Sequence, residues 1–327
     1  MSDGTPHGAT LDGATLNSGI GGEPTLRFER RLRHSPAKVW RAVTDPAEMT
    51  HWFPAAVETE LRPGAPMRFT FPGEAVGDGG WDGEVLEVDE PKVFMFRWNA
   101  DVLRIELVPD GDGCRLVFTQ TIGGGRTGLL GAGRTAAGWD SCLAQLAAAL
   151  DGTTLAARTD WLSPMAHYIA EFGLGDGTAT RTEGGWRLRF ARDLVWEPPA
   201  VTWVLLTGDT EVGATPPVRA INEIVPAGRV TRAEAPTVLV YEWLHDGEAA
   251  GTVTWELCSD PELGERVELT QTVPAHLTDL VPKAMAAWHL QLELFFAAVM
   301  GEARCAWSDE RVADLTRHYA GATRPSA

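Results

Sequence analysis

Residues 28–40 read FERRLRHSPAKVW, and residues 190–203 repeat the pattern as FARDLVWEPPAVTW. Both stretches begin with alternating apolar and polar residues, which is typical of a half-buried β-strand. Both then reach a proline that can occupy the first position of a helix, and in the first copy Ser35 before Pro36 is a favourable N-cap. The chain therefore contains the same strand-to-helix unit twice.

Two further stretches match in the same order along the chain. Residues 91–98 (PKVFMFRW) match residues 236–243 (PTVLVYEW), and the triplet TQT at 119–121 recurs at 270–272. An order kept over this length rarely arises by chance, and the repeating units are long. We therefore predict two duplicated domains rather than a solenoid.

The strands of each copy are followed by one long amphipathic helix. In the first copy, strand-like segments bounded by turn residues cover 26–33, 81–89, 92–99, 101–108 and 114–122. Strands joined by short turns indicate an antiparallel meander. Helical spacing then places on one face Trp139, Cys142, Leu143, Leu146 and Leu150, and in the second copy Trp288, Leu292, Phe295, Phe296 and Val299.

A sheet and an amphipathic helix must bury their apolar faces together. The sequence therefore predicts the α+β class, with two tandem helix-grip domains, each a curved antiparallel sheet wrapped around a long C-terminal helix. A hollow left under the helix would be the place for a ligand. The expected segments are a disordered leader (1–24), a first domain (25–152), a linker with a short helix (153–184), a diverged and shortened second domain (185–303), and a C-terminal helix and tail (304–327).

The composition restricts the partners. The chain has 28 Lys and Arg residues against 45 Asp and Glu residues, a formal net charge of −17. This charge repels phosphate backbones and anionic lipid surfaces, so neither a nucleic acid nor a membrane is an expected partner. The N-terminus lacks the pattern of a signal peptide, and a cytoplasmic location is expected. The four cysteines lack zinc-site spacing, so no metal or cofactor is predicted.

The motifs of the first copy resemble those of a known family. The residues that carry the resemblance are 36–40 (PAKVW), 44–46 (TDP), 52–53 (WF), 83–87 (GEVLE), Pro91, Trp98, Gly138, Trp139, Leu143 and Leu146. Over residues 28–152 the chain resembles the activator-of-Hsp90-ATPase (Aha1) C-terminal-like family, in the START/Bet v 1-like (SRPBCC) superfamily. The second copy resembles a diverged member.

The resemblance implies a helix-grip fold with a ligand cavity and leaves the activity open. Relatives in the superfamily include cochaperones, lipid carriers, polyketide cyclases and antibiotic-sequestering proteins, and a shared fold does not transfer function. Eukaryotic cochaperones of the family also carry an Hsp90-binding N-terminal domain. Residues 1–24 do not resemble one, so a chaperone partner has no support from this segment.

Two glutamines are candidate polar anchors for a ligand. Gln120 shares a strand face with Leu116 and Phe118, and Gln271 repeats this arrangement in the second copy. A buried amide must find hydrogen bonds or cost about 1–3 kcal/mol. Each glutamine is therefore either a ligand anchor or a structural amide bonded to the backbone or to water.

Aromatic residues and one carboxylate complete the candidate ligand-binding site. The aromatic candidates for the cavity wall are Trp52, Phe53, Phe71, Phe94, Phe96, Trp98 and Trp139, of which Trp52 and Phe53 could form a lid. The alternative is that these rings are core residues. Glu84 shares a strand face with Leu86 and Val88, where burial would raise its pKa and favour a general-acid role; the alternative is an exposed edge position.

The glycine-rich run 123–133 resembles nucleotide-binding motifs only superficially. Its spacing matches GxGxxG, but no βαβ unit surrounds it, so we expect a flexible loop that gates the cavity.

Neither GxSxG nor HExxH occurs, and no catalytic residue is assigned. The sequence favours non-catalytic binding of an apolar small molecule, or a cochaperone-like interaction protein, with the two domains packed together. The alternatives are a cyclase or aromatase acting on a polyketide-like substrate, which requires Glu84 or another carboxylate beside Gln120, and a natural-product sequestration or resistance protein.

Overall fold

A computed structural model describes residues 13–17, 23–73, 81–302 and 307–321. The chain divides into two compact units, Met1–Phe172 and Gly173–Ala327, and the boundary falls inside the segment expected to be a linker. Each unit combines one antiparallel sheet with helices, which confirms the predicted α+β class. None of the helices in the described ranges has the length and apolar character needed to cross a membrane.

The sheet of the first unit has eight strands. Their bounds are β1 Thr15–Asn17, β2 Thr25–Leu32, β3 Ala56–Glu58, β4 Pro66–Thr70, β5 Trp81–Asp89, β6 Val93–Trp98, β7 Asp101–Asp110 and β8 Gly113–Thr121. The spatial order is β1-β2-β8-β7-β6-β5-β4-β3, so the predicted meander runs from β3 to β8 and β2 adds to it beside β8.

Strand β1 corrects the prediction of a leader disordered throughout. Residues 15–17 lie in that segment, yet they pair antiparallel with the start of β2. The backbone N–H of Ala14 also donates a hydrogen bond of 3.3 Å to the Tyr168 hydroxyl. Backbone pairing does not need a hydrophobic sequence pattern, which is why the composition of this segment did not reveal the strand.

The helices of the first unit close the open side of the sheet. They are α1 Pro36–Thr44, α2 Pro46–Met49, α3 Gly125–Leu130, α4 Ala132–Leu150 and α5 Leu162–Glu171. Helix α1 begins at Pro36 as predicted, although the Ser35 side chain makes no capping hydrogen bond. Asp45 instead caps α2, because its side chain accepts a hydrogen bond of 2.9 Å from the N–H of Ala47. The apolar stripe of α4 faces the sheet.

The glycine-rich run forms α3 rather than the predicted flexible loop. Gly124 and Gly125 have φ values of +76° and +58°, which glycine adopts without strain and which turn the chain from β8 into the helix. A Cβ atom at Gly128 would lie 1.9 Å from the Gly123 carbonyl oxygen. Positive φ therefore accounts for Gly124 and Gly125, and close backbone packing accounts for Gly128, roles that the motif spacing did not indicate.

The second unit repeats this architecture with six strands. Its elements are α6 Pro199–Thr207, α7 Val281–Val299 and α8 Asp309–His318, with β9 Thr178–Thr182, β10 Gly185–Asp193, β11 Ala227–Glu234, β12 Val238–His245, β13 Glu248–Asp260 and β14 Gly264–Pro274. The order β11-β12-β13-β14-β10-β9 matches β5-β6-β7-β8-β2-β1. The described second unit thus has no counterpart of β3, β4 or α2, which is consistent with the shortened second domain expected from the sequence.

Candidate functional site

The aromatic candidates of the first domain meet around Phe53. Its ring centroid lies 5.5 Å from Trp52, 5.9 Å from Phe69, 6.2 Å from Phe96, 5.5 Å from Trp98 and 5.6 Å from Trp139. These side chains come from the segment after α2, from β4, from β6 and from α4. Ring pairs at such separations pack favourably. They pack against one another between sheet and helix, where a hollow was predicted. Together with Phe71 and Phe94 we call them the aromatic cluster.

Trp52 and Phe53 belong to the core rather than to an exposed lid. They are only 4% and 6% exposed. The indole Nε1 of Trp52 donates a hydrogen bond of 2.9 Å to the carbonyl oxygen of Ala42 in α1, which fixes the ring. The lid was predicted from the neighbouring proline and short helix, and neither feature indicates whether the two aromatic side chains are buried.

The aromatic cluster has one half-buried end and one closed end. Phe71 and Trp98 are half-buried, with ring centroids 5.9 Å apart. Phe94 is fully buried at the opposite end, where its ring lies 6.5 Å from Trp40 and 5.1 Å from Phe96. Phe94 is therefore a core residue, whereas Phe71 and Trp98 are accessible in part.

Gln120 joins the aromatic cluster to a carboxylate. Its Oε1 accepts a hydrogen bond from the indole Nε1 of Trp139, and its Nε2 donates one to Oδ2 of Asp101. The N–H of Gly123 donates a hydrogen bond of 2.7 Å to Oδ1 of the same carboxylate. The amide of Gln120 is satisfied within the protein, which favours the structural interpretation of this residue.

Asp101 is a candidate that sequence reasoning missed. It opens β7 and shares a strand face with Leu103 and Ile105, both fully buried, so the period-two pattern could have revealed it. Burial raises the pKa of Asp101 above its usual value and outweighs the opposing effect of the hydrogen bonds from Gly123 and Gln120. The carboxylate beside Gln120 that acid–base chemistry requires is therefore Asp101.

Glu84 lies outside the interior, which agrees with the exposed edge position given as the alternative to a general acid. Its side chain is 45% exposed, and its carboxylate lies 3.6 Å from the guanidinium of Arg97. Val85 occupies the inward position instead and is fully buried. The register of β5 against β6 shifts between Val85 and Glu87, so the uninterrupted alternation assumed from the sequence does not hold.

A groove of about 440 Å³ lies between α1, α2 and the C-terminal half of α4. It is lined by Ala37, Lys38, Arg41, Ala42, Glu48, Trp52, Leu146, Ala149 and Leu150. Lys38 donates a hydrogen bond of 2.7 Å to the Leu150 carbonyl oxygen, and Arg41 pairs with Glu48. The groove thus combines an apolar floor with a charged rim. The small alanine side chains on both α1 and α4 are the feature of the sequence that could have indicated it.

The second domain retains the amide–indole pair without the carboxylate. Gln271 is fully buried, and its Oε1 accepts a hydrogen bond of 2.7 Å from the indole Nε1 of Trp288. Leu103 pairs with Gln120, and Val253 pairs with Gln271, so Gly251 occupies the position of Asp101. The Nε2 atom of Gln271 has no hydrogen-bond partner in the described part of the chain.

These features are those of two tandem helix-grip domains: an antiparallel sheet holds a long closing helix, and another helix follows the first long strand. Within that class, residues 33–151 match the family model described as activator of Hsp90 ATPase homolog 1-like protein. The match confirms the family resemblance of the first domain. It does not extend to the second domain, which shares the strand and helix order.

Several solved structures are similar at low sequence identity. EF2215 from Enterococcus faecalis is 20% identical over 49% of this chain and 90% of its own, with a TM-score of 0.41. CalU16 from Micromonospora echinospora is 17% identical over 49% of this chain and 93% of its own, with a TM-score of 0.36. DynU16, a protein of the dynemicin biosynthetic locus, is 18% identical over 85% of this chain and 96% of its own, with a TM-score of 0.37. No curated protein sequence matches the chain.

Proposed function

We propose that the first domain binds a small, largely apolar molecule in the groove between α1, α2 and α4. The observation that carries this proposal is the groove itself, whose volume of about 440 Å³ is within the usual range for small-molecule sites. The rings of the aromatic cluster pack against one another under α4, so a ligand among them would have to displace packed rings. The groove needs no such displacement.

The lining of the groove indicates the chemistry of the ligand. Trp52, Leu146 and Leu150 provide apolar surface, whose burial against a ligand is the main source of binding free energy. The charges at the rim already have partners, since Lys38 bonds to a backbone carbonyl and Arg41 to Glu48. A ligand with an apolar body and a polar end at the rim fits this distribution.

A substitution that fills the groove tests the proposal. Ala149 lines the groove, whereas Ala144 lies on the same helix outside it, and both are half-buried. We expect Ala149→Phe to weaken binding of the amphiphilic dye 1-anilinonaphthalene-8-sulfonate at least tenfold, and Ala144→Phe to leave it within twofold of the unmodified protein. Equal dye binding by the two variants would overturn the proposal.

Native mass spectrometry of the chain purified from its own host tests the same site with the natural ligand. A small molecule that co-purifies with the unmodified protein and is absent from Ala149→Phe supports the proposal. A co-purifying chaperone that is retained by Ala149→Phe favours the cochaperone-like alternative instead.

Acid–base chemistry of the cyclase type is a second candidate, and Asp101 is the observation that favours it. Its carboxylate accepts two hydrogen bonds, which orient it near the half-buried end of the aromatic cluster formed by Phe71 and Trp98. An oriented carboxylate is suited to act as a general base. If the unmodified protein co-purifies with a substrate and its dehydrated product, and Asp101→Asn co-purifies with the substrate alone, this candidate function is supported. Identical co-purified ligands in the two proteins would count against a catalytic role of Asp101.

A further inference from the structure

Arg192 presents a buried guanidinium edge without a partner. The residue lies in β10 and is only 4% exposed. Its Nε and Nη2 atoms have no hydrogen-bond partner among the described residues. These two nitrogens lie on the same edge of the guanidinium, and their parallel N–H groups match the two oxygens of a carboxylate or a phosphate.

In the first domain a carboxylate faces Nη2 of the corresponding arginine. Arg30 in β2 is the counterpart of Arg192, and its Nη2 lies 2.6 Å from Oδ1 of Asp140. Asp140 follows Trp139 on α4, and at the equivalent position after Trp288 on α7 the second domain has His289. The carboxylate that neutralises the buried arginine in the first domain is thus replaced by an imidazole.

The carboxylates near Arg192 are engaged elsewhere. Glu293 lies 2.6 Å from the Arg311 guanidinium and 3.3 Å from Nε2 of His289. Asp176 lies 3.1 Å from Nε2 of His318 and is 40% exposed. Asp193 follows Arg192 in the strand, and successive strand residues point to opposite faces. Arg192 therefore makes no direct ion pair in the described residues, and the nearby charges of Glu293, Asp176 and Asp193 oppose the desolvation of its guanidinium only from a distance.

We propose that the second domain binds a small oxyanion, a carboxylate or inorganic phosphate, at the Nε–Nη2 edge of Arg192. The anion takes the place that the Asp140 carboxylate has in the first domain. Gly175 borders the site: a Cβ atom there would lie 3.0 Å from Nη2 of Arg192 and 3.1 Å from Nε2 of His289. A side chain at this position would therefore crowd both Nη2 of Arg192 and Nε2 of His289.

Two substitutions at His289 separate this proposal from a structural role of the cluster. His289→Asp restores the carboxylate found in the first domain, whereas His289→Asn has nearly the same shape and lacks the charge. Hydrogen exchange of β10 and α7 in the full chain is measured with sodium chloride, sodium acetate or sodium phosphate at equal ionic strength and pH. We expect acetate or phosphate to slow exchange saturably in the unmodified protein and in His289→Asn, and to have no effect in His289→Asp.

Each outcome of the exchange experiment either supports or contradicts the proposed anion site. A response to acetate alone identifies a carboxylate site, and a response to phosphate alone identifies a phosphate site. The reciprocal substitution Asp140→His should create an equivalent anion response in β2 and α4 of the first domain. If neither anion slows exchange more than chloride, or if His289→Asp responds as strongly as His289→Asn, the proposal is wrong.

Discussion

The indole nitrogen of Trp288 donates a hydrogen bond of 2.7 Å to the amide oxygen of Gln271, and this bond ties helix α7 to strand β14. Trp139 makes the same bond to Gln120 in the first domain, between α4 and β8. A directional bond at the centre of an apolar interface fixes the rotation of the helix, which hydrophobic contacts alone define poorly. The two domains differ at the amide nitrogen of this glutamine. Nε2 of Gln120 donates a hydrogen bond to Asp101, whereas Nε2 of Gln271 has no partner in the described residues.

This difference predicts unequal costs for the same substitution in the two domains. Gln120→Leu removes two hydrogen bonds, one of them to a carboxylate, and should lower the free energy of unfolding of the first domain by about 3 kcal/mol. Gln271→Leu removes one bond together with an unsatisfied donor, so its cost should be about 1 kcal/mol. Hydrogen exchange of the slowest amides in each domain measures both values; equal costs would contradict the assigned bonding.

The raised pKa of Asp101 predicts a pH-dependent stability of the first domain. Because the folded state holds this proton more tightly than the unfolded chain, the free energy of unfolding falls as pH rises from the usual value of 3.8 through the raised pKa. Asp101→Asn does not ionise and should lack this fall. Asp112→Asn, in an exposed turn, is the control and should retain the pH profile of the unmodified protein. Parallel profiles for both variants would argue against a raised pKa.

The sequence predicted the architecture because its signals are local and repeated. The strand alternation of 114–122 and the helical stripe from Trp139 to Leu150 correspond to β8 and α4 in the structure. The second copy was predicted to be shortened, and the described second unit has no counterpart of β3, β4 or α2. Periodicity and turn chemistry determine these elements without knowledge of tertiary contacts.

The candidate site was harder to predict because it depends on register and on non-local packing. The register shift in β5 placed Val85 rather than Glu84 in the interior. Asp101 meets Gln120 only because β7 and β8 pair with Leu103 opposite Gln120. Whether aromatic rings leave a hollow or fill it depends on their mutual fit, which the composition of the strands does not contain.

Phe53 at the centre of the aromatic cluster should be the most sensitive aromatic position in the first domain. It contacts five other rings and is buried, so Phe53→Ala should cost about 3–5 kcal/mol through lost contacts and the cavity left behind. Phe71→Ala, at the half-buried end, should cost less than half as much. Hydrogen exchange of β6 and α4 provides the comparison. If the two costs are similar, the rings are packed less closely than their centroid separations indicate.

Glu293 should make the second domain sensitive to acid. Burial alone would raise its pKa, but hydrogen bonds from His289 and Arg311 outweigh burial and lower the pKa of Glu293 to about 2. The stabilisation is present above the unfolded value of 4.5 and is lost as pH falls from 4.5 towards 2, an effect of at most about 3 kcal/mol. Glu293→Gln should be less stable than the unmodified protein at neutral pH and equal to it near pH 2. A constant difference across this range would exclude the ion pairs as its source.

Two glycines in helices α3 and α4 of the first domain should respond to alanine in opposite ways. A Cβ atom at Gly128 in α3 would lie 1.9 Å from the Gly123 carbonyl oxygen, so Gly128→Ala must displace the backbone and should destabilise the domain. A Cβ atom at Gly138 in the middle of α4 meets no heavy atom within 4 Å, and alanine there should stabilise the helix by up to about 1 kcal/mol. Thermal unfolding and hydrogen exchange of α4 measure both effects. If Gly128→Ala is as stable as the unmodified protein, the result would support the flexible loop predicted from the sequence, because only a segment that is free to move could accept the added methyl group.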